Sequence, residues 1–344
     1  MGAVAEPGPR SLLFQWHLTE RCNLRCAHCY QSDPLPAELG YDDWLDVVEQ
    51  LRALVRGWQP GRLRGMQITL TGGEPLLHGD LFRLLDHLAA DPWPWRLALL
   101  TNGTLLDAAA CRELARLRLA FVQVSLDGMQ ATHDATRGAG SFAAAVVGLR
   151  QLRAAGVPSM VSFTAHRGNW REFPAVAALA VKLGAQRVWT DRMIPAGRGA
   201  EMADALLSPA ETQAYLDLVG ATRRRWSRRP WVRTDVAAHR ALQFLAPGGG
   251  PAYRCHAGDS VLALLPNGDL LPCRRLPLVV GNVRQRPLTE LYAEPLLAER
   301  RSAERLPSAC TACDHQRACR GGLRCLAYAV TGDPHAADPG CPLT

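Results

Sequence analysis

Apolar residues recur along this chain as short dense runs separated by longer stretches of helical periodicity. The runs at Leu12–Leu18, Met66–Thr71, Arg96–Thr101, Phe121–Leu126, Val157–Thr164 and Arg187–Thr190 have the length and density of buried parallel strands. Between them, sets such as Trp44, Val47, Val48, Leu51, Leu54 and Leu81, Leu84, Leu85, Leu88 recur three and four residues apart, which predicts helices long enough to act as crossovers. Repeated strand and helix units imply a parallel sheet wrapped by helices. Six such units fall short of the eight in a closed barrel, so the expected fold is α/β, a curved, partial (β/α)6 TIM-like barrel with its site at the strand C-terminal ends.

The pattern changes after Thr190. A Gly and Pro loop (Pro195–Gly199) leads to a helix near Pro209–Arg224, then to a break at Pro247–Pro251. Val261–Leu265 and Leu270–Leu271 flank Pro266, Asn267, Gly268 and Asp269, which reads as a β-hairpin opening a small second domain of cysteine-bearing loops and short helices. The expected domains are 1–235 and 236–344. No internal repeat is evident.

Composition narrows the function classes. The opening residues Met1–Pro9 hold no basic and apolar targeting pattern, and no uncharged apolar run is long enough to cross a membrane, so a cytoplasmic protein with no membrane partner is expected. Eleven cysteines in an enzyme-sized chain suggest metal or catalytic use, and the odd number argues against complete pairing. The formal charge of +7 includes Arg223, Arg224, Arg225, Arg228 and Arg229, which read as a solvated helix face; without a stripe of aromatic and basic residues, a nucleic-acid partner is not expected.

The sharpest chemical signal is Cys22, Cys26 and Cys29, spaced C-x3-C-x2-C just after the first expected strand. Three thiolates at this spacing can hold one face of a cuboidal 4Fe-4S cluster and leave one iron open to a ligand. Zinc is the weaker alternative, because no C-x2-C partner lies nearby. With its His28 before the last cysteine, CNLRCAHCY resembles the defining motif of the radical S-adenosylmethionine (SAM) superfamily. That resemblance implies reductive cleavage of SAM to a 5'-deoxyadenosyl radical, with Cys22, Cys26 and Cys29 at the catalytic cluster.

Further matches follow the later strands. Gly72, Gly73, Glu74 and Pro75 resemble the family segment that binds the SAM amino group; glycines there let backbone approach a ligand and Glu74 can accept from an ammonium. Asn102 ends the third strand, and Ser125 and Asp127 end the fourth. Ser125 and Arg137 look like the family's SAM carboxylate ligands, and a guanidinium can hold a carboxylate through two parallel hydrogen bonds. The sixth strand ends in Thr190, Asp191, Arg192 and Met193, and Ala196, Gly197, Arg198 and Gly199 follow in a loop that resembles one flanking SAM.

The remaining cysteines resemble the SPASM extension, which usually holds two auxiliary 4Fe-4S clusters. The resemblance groups Cys310, Cys313, Cys319 and Cys341 on an outer cluster, and leaves Cys255, Cys273 and Cys325 for an inner cluster one ligand short. The family usually continues C-x3-C after the third member of the triplet, whereas Cys319 and Cys325 are spaced C-x5-C. Zinc on the four outer thiolates is the alternative. Cys111, alone in a helical stretch, reads as a small buried hydrophobe.

SPASM-bearing enzymes often modify ribosomally made peptides through a crosslink or thioether, which is the leading expectation. Expected partners are a peptide or small-molecule substrate, an electron donor such as flavodoxin or ferredoxin, and a separate leader-peptide-binding protein, since only 21 residues precede Cys22. Arg274 stands where sulfatase-maturing enzymes are expected to place an aspartate base, which disfavours that class. The Arg274 and Arg275 pair suggests an acidic substrate group and keeps open the oxidative decarboxylation or side-chain modification of a tetrapyrrole in haem-type cofactor biosynthesis. An electron-transfer scaffold would not need the Gly72–Pro75, Ser125 and Arg137 set.

Overall fold

The computed structural model describes residues 8–31, 37–58, 63–237, 241–301 and 306–344; residues 1–7 of the opening segment lie outside them. In chain order the strands and α-helices are β1 (Ser11–Thr19), α1 (Tyr41–Arg56), β2 (Gly65–Gly72), α2 (Leu81–Ala90), β3 (Trp95–Thr101), α3 (Ala108–Arg116), β4 (Phe121–Ser125), α4 (Gln130–Arg137), α5 (Ser141–Ala154), β5 (Ser159–Ala165), α6 (Phe173–Leu183) and β6 (Arg187–Arg192). There follow α7 (Pro209–Ser227), β7 (Asp235–Ala237), β8 (Val261–Leu264), β9 (Asp269–Leu271), β10 (Gly281–Asn282), α8 (Leu288–Ala293), α9 (Pro295–Arg301), α10 (Gln316–Cys319) and α11 (Arg324–Thr331). All six expected strands are present, and the helix expected near Pro209–Arg224 is α7. Ser208 and Glu211 form a capping box that starts it. Among the described residues no helix is long and apolar enough to cross a membrane.

The chain divides into two compact units, each discontinuous in sequence: Met1–Asn23, Asp33–Leu100 and His256–Glu304 form one, and Leu24–Ser32, Thr101–Cys255 and Arg305–Thr344 the other. In the first, the strand order is β10-β9-β8-β1-β2-β3. β1 runs parallel to both β2 and β8, and β8, β9 and β10 form an antiparallel meander that contains the expected hairpin. The period-two alternation of β1 sorts its side chains. Phe14, Trp16 and Leu18 are buried on one face, where Trp16 meets Trp44 of α1 edge-on at 6.4 Å between ring centroids. Gln15, His17 and Thr19 point to the other, where they register with Thr69, Thr71 and Gly72 of β2. These polar residues are buried too.

In the second unit β4, β5, β6 and β7 lie parallel in that order. Phe163, Phe173 and Tyr215 stack edge-on between β5, α6 and α7, with centroids 5.5 and 6.4 Å apart. The short β7, which extends the sheet beside β6, carries no expected apolar run.

Candidate functional site

In the second unit the cysteine loop is held by backbone. Cys29 N donates to Cys26 O (3.2 Å), Ala27 N to Thr136 O at the end of α4 (2.8 Å), and Gly199 N to Cys29 O (2.8 Å). Arg198 Nε donates to Cys26 O (3.4 Å). The loop after β6, expected to flank SAM, is therefore bonded to the cysteine loop itself.

Beneath it Asp127, fully buried after β4, joins three elements. Its Oδ2 lies 2.9 Å from His28 Nε2 and accepts from Arg137 Nε (2.6 Å), while Oδ1 accepts from Thr164 N (2.7 Å). Asn169 Nδ2 donates to the Asp127 carbonyl (2.9 Å). Burial pushes the carboxyl pKa up, but the charges of Arg137 and His28 and the bonds from His28 and Thr164 outweigh it and hold the group well below the usual carboxylate range. Burial likewise opposes the Arg137 charge, and Asp127 and Cys26 more than restore it. Arg137 Nη1 lies 3.7 Å from Cys26 Sγ, so the guanidinium bridges the carboxylate and a candidate cluster thiolate. His133 Nδ1 accepts from Asp127 N (3.1 Å), and burial, with Arg137, brings its pKa down to about 4, so the ring is neutral. The motifs give Arg137 and Asp127 as separate cofactor contacts; the structure pairs them with each other. His133, which also meets Asp127, carries no motif signal.

The other expected contacts of this unit are more local. Ser125 Oγ accepts from Ser162 Oγ (3.4 Å). Asn102 Oδ1 accepts from Thr104 N (2.9 Å) and Thr104 Oγ1 (2.7 Å), which makes it a turn former as well as a candidate ligand.

In the first unit Cys22 is exposed beyond β1. Gly73 N donates to Thr19 O (2.7 Å) and Glu74 N to Arg21 O (2.8 Å). A Cβ on Gly72 would stand 2.3 Å from Thr19 O, and one on Gly73 2.2 Å from Arg21 O. The glycines were expected to admit a ligand; here they admit the chain's own backbone next to Cys22. Glu74 is fully buried and its Oε1 accepts from Leu76 N (3.2 Å), with Pro75 opening the turn behind it. On the polar face of β1, Gln15 Oε1 accepts from Cys273 Sγ (3.5 Å) and Arg274 N (3.1 Å), and Arg274 Nη1 donates to Thr71 Oγ1 (3.4 Å).

The C-terminal cysteines sort by environment. Cys310, Cys313, Cys319 and Cys341 line one small cavity in the second unit. Burial, then the like charges of Cys341 and Cys313, raise the Cys310 thiol; burial, with Cys341 adding, pushes Cys319 up to about 11. Cys255 lies within electrostatic reach of Arg324, and Cys325 within that of Arg192. Cys111 is buried in α3 and burial raises its thiol to about 11, as suits an inert packing residue.

Among the described residues no three His, Cys, Asp or Glu are gathered so as to hold a single metal ion. A cuboidal cluster spreads its thiolates more widely than one ion does, and four cysteines around one cavity suit such a group. Near the first cysteines, His28 Nδ1 is buried with no hydrogen-bond partner among the described residues, a polar atom a bound cofactor could satisfy.

Residues 16–180 match the radical SAM superfamily, and residues 255–314 match the SPASM iron-sulfur cluster-binding domain. The pre-heme d1 synthase of Dinoroseobacter shibae is 31% identical over 99% of this chain and 88% of its own length. The PqqA peptide cyclase of Streptomyces rochei is 32% identical (100% and 92%), and the mycofactocin maturase MftC of Mycolicibacterium smegmatis 33% (95% and 81%). Among solved structures, Streptococcus suis SuiB bound to S-adenosylmethionine superposes with a TM-score of 0.73 at 17% identity, covering 97% of this chain and 77% of that one. The fold is thus that of radical SAM enzymes, the expected partial barrel followed by a cysteine-rich region. The superfamily's cofactors are a 4Fe-4S cluster and SAM, and its SPASM domain binds auxiliary iron-sulfur clusters. This chain is a radical SAM superfamily enzyme with a SPASM domain.

Proposed function

We propose that this enzyme oxidatively modifies a ribosomally synthesised peptide, forming a crosslink or thioether. The observation that carries this reading is likeness over almost the whole chain to a PqqA peptide cyclase and a mycofactocin maturase. The barrel is assigned to residues 1–235 and the SPASM domain to 236–344. Cys22, Cys26 and Cys29 would hold the catalytic cluster, which when bound and reduced supplies the electron that cleaves SAM to the hydrogen-abstracting 5'-deoxyadenosyl radical.

The chain's own residues bind and orient. Glu74 accepts from the SAM ammonium, as Gly72, Gly73 and Pro75 fix its backbone beside Cys22. Asp127 holds Arg137 through Nε, so the Nη groups serve the SAM carboxylate, with Ser125, and the Cys26 sulfur. His28 and Asn102 complete the cofactor contacts. Cys310, Cys313, Cys319 and Cys341 would hold one auxiliary 4Fe-4S cluster and Cys255, Cys273 and Cys325 a second. A flavodoxin or ferredoxin would deliver electrons in the cytoplasm, and a separate protein would present the leader peptide.

A second reading, oxidative decarboxylation or side-chain modification of a tetrapyrrole, rests on one feature. Arg274 is bonded to Thr71 on the buried polar face of β1 and β2, where a guanidinium could receive a propionate. Relatives with haem-synthase activity in their names agree with it. The test incubates reconstituted enzyme, SAM and reductant with the deuterated product of a short open reading frame beside the gene, or with a deuterated iron coproporphyrin. Deuterium in 5'-deoxyadenosine with loss of two hydrogens from the peptide supports the first reading; deuterium from the porphyrin alone, with loss of two hydrogens and, where a propionate is decarboxylated, of carbon dioxide, replaces it with the second. Neither, with SAM cleavage intact, refutes both substrate classes.

A further inference from the structure

Arg192, at the C-terminal end of β6, makes a two-pronged ion pair with Asp338, Nη1 to Oδ1 at 2.8 Å and Nη2 to Oδ2 at 2.5 Å. Their side chains are 6% and 1% exposed. A charge pair so deep loses most of its hydration and is maintained only by strong geometry and further hydrogen bonds. Asp338 has those bonds: Oδ2 also accepts from Leu323 N (2.9 Å), just before α11, and Oδ1 from Gly340 N (3.0 Å). Its backbone N donates to Gly321 O (3.0 Å), and its carbonyl accepts from Cys341 N (2.9 Å).

These bonds converge on the cysteines of the C-terminal cavity. Asp338 lines that cavity with Cys310, Cys313, Cys319 and Cys341. Gly321 follows Cys319 by two residues, and Cys341 is bonded to Asp338 directly. Gly340 lies so close that a Cβ there would stand 2.3 Å from Arg192 Nη1, so the turn carrying Cys341 is seated on the guanidinium.

We infer that Asp338 and Arg192 are positioning residues for iron-sulfur binding: the carboxylate, anchored to the end of β6, fixes the turns that present Cys319 and Cys341 to a shared cluster. The inference rests on the reading that Cys310, Cys313, Cys319 and Cys341 hold that cluster. Neither residue is a ligand; each acts through the backbone of the ligand-bearing turns.

The test uses full-length chain with Cys22, Cys26 and Cys29 replaced by Ala, so that the remaining iron reports the C-terminal cysteines. Iron, sulfide and the electron paramagnetic resonance signal are measured after anaerobic reconstitution. Asp338→Asn and Arg192→Met should each lose about four irons and one reduced-cluster signal. Arg192→Lys, which keeps the charge without the two-pronged geometry, should retain a larger share. Full iron and an unchanged signal in Asp338→Asn, even with a lower melting temperature, would overturn the inference, since a merely structural pair would behave that way. If Asp338→Asn does not fold, Gly340→Ala carries the same expectation and the same refutation. Absence of C-terminal iron in the background chain would instead refute the cluster reading.

Discussion

Asp127→Asn removes one negative charge from the buried centre of the site while leaving its shape almost unchanged. The amide oxygen can still accept from Thr164 N, so the side-chain link from the end of β4 to β5 survives. What is lost is the carboxylate that faces Arg137 at 2.6 Å and His28 at 2.9 Å. Breaking a buried pair by deleting one partner typically costs about 3–5 kcal/mol, because the other charge stays buried. Cys26 Sγ remains near the guanidinium, so the lower end, about 3 kcal/mol, is expected. With a urea dependence of about 3 kcal/mol per molar, the midpoint should fall by about 1 M. Acid adds a second readout. The folded carboxyl titrates far below its unfolded value near 4, so its contribution is complete above that value and is lost as pH falls below it. The variant should therefore lose stability less steeply than the parent below about pH 4. A urea midpoint within about 0.2 M of the parent, with the same acid slope, would refute this account of the Asp127 network.

Two further predictions concern His133 and Gly73. His133 has a folded pKa of about 4 against 6.5, so the unfolded chain takes up the proton first; this stability is present above about pH 6.5 and falls by about 3 kcal/mol as pH approaches 4. His133→Gln should remove that slope in urea titrations across the window, and an unchanged slope would show that His133 is not its source. Gly73→Ala places a methyl group against the Arg21 carbonyl, which cannot yield as a flexible side chain would. Reconstituted Gly73→Ala should hold about four fewer irons than the parent, and a full complement would show that the Cys22 turn tolerates the shift.

The strand framework was legible because each of β1 to β6 is a compact apolar run. β7 has three residues and no such run, so its place beside β6 depends on pairing that no local pattern records. The candidate ligands were legible from motif order, but their mutual bonds were not. Asp127 and Arg137 are ten residues apart and meet because α4 turns back over the end of β4, while Arg192 and Asp338 are separated by 146 positions. The spacing of Gly72 and Gly73 revealed a need for close approach but not what approaches.

The division of β1 into an aromatic face and a polar face separates two kinds of evolutionary change. Phe14, Trp16 and Leu18 serve the aromatic packing, whereas Gln15 and Thr71, on the other face, hold hydrogen bonds to Cys273 and Arg274. Substitutions at every second residue of β1 would therefore reach those hydrogen bonds while leaving the interleaved packing positions unchanged.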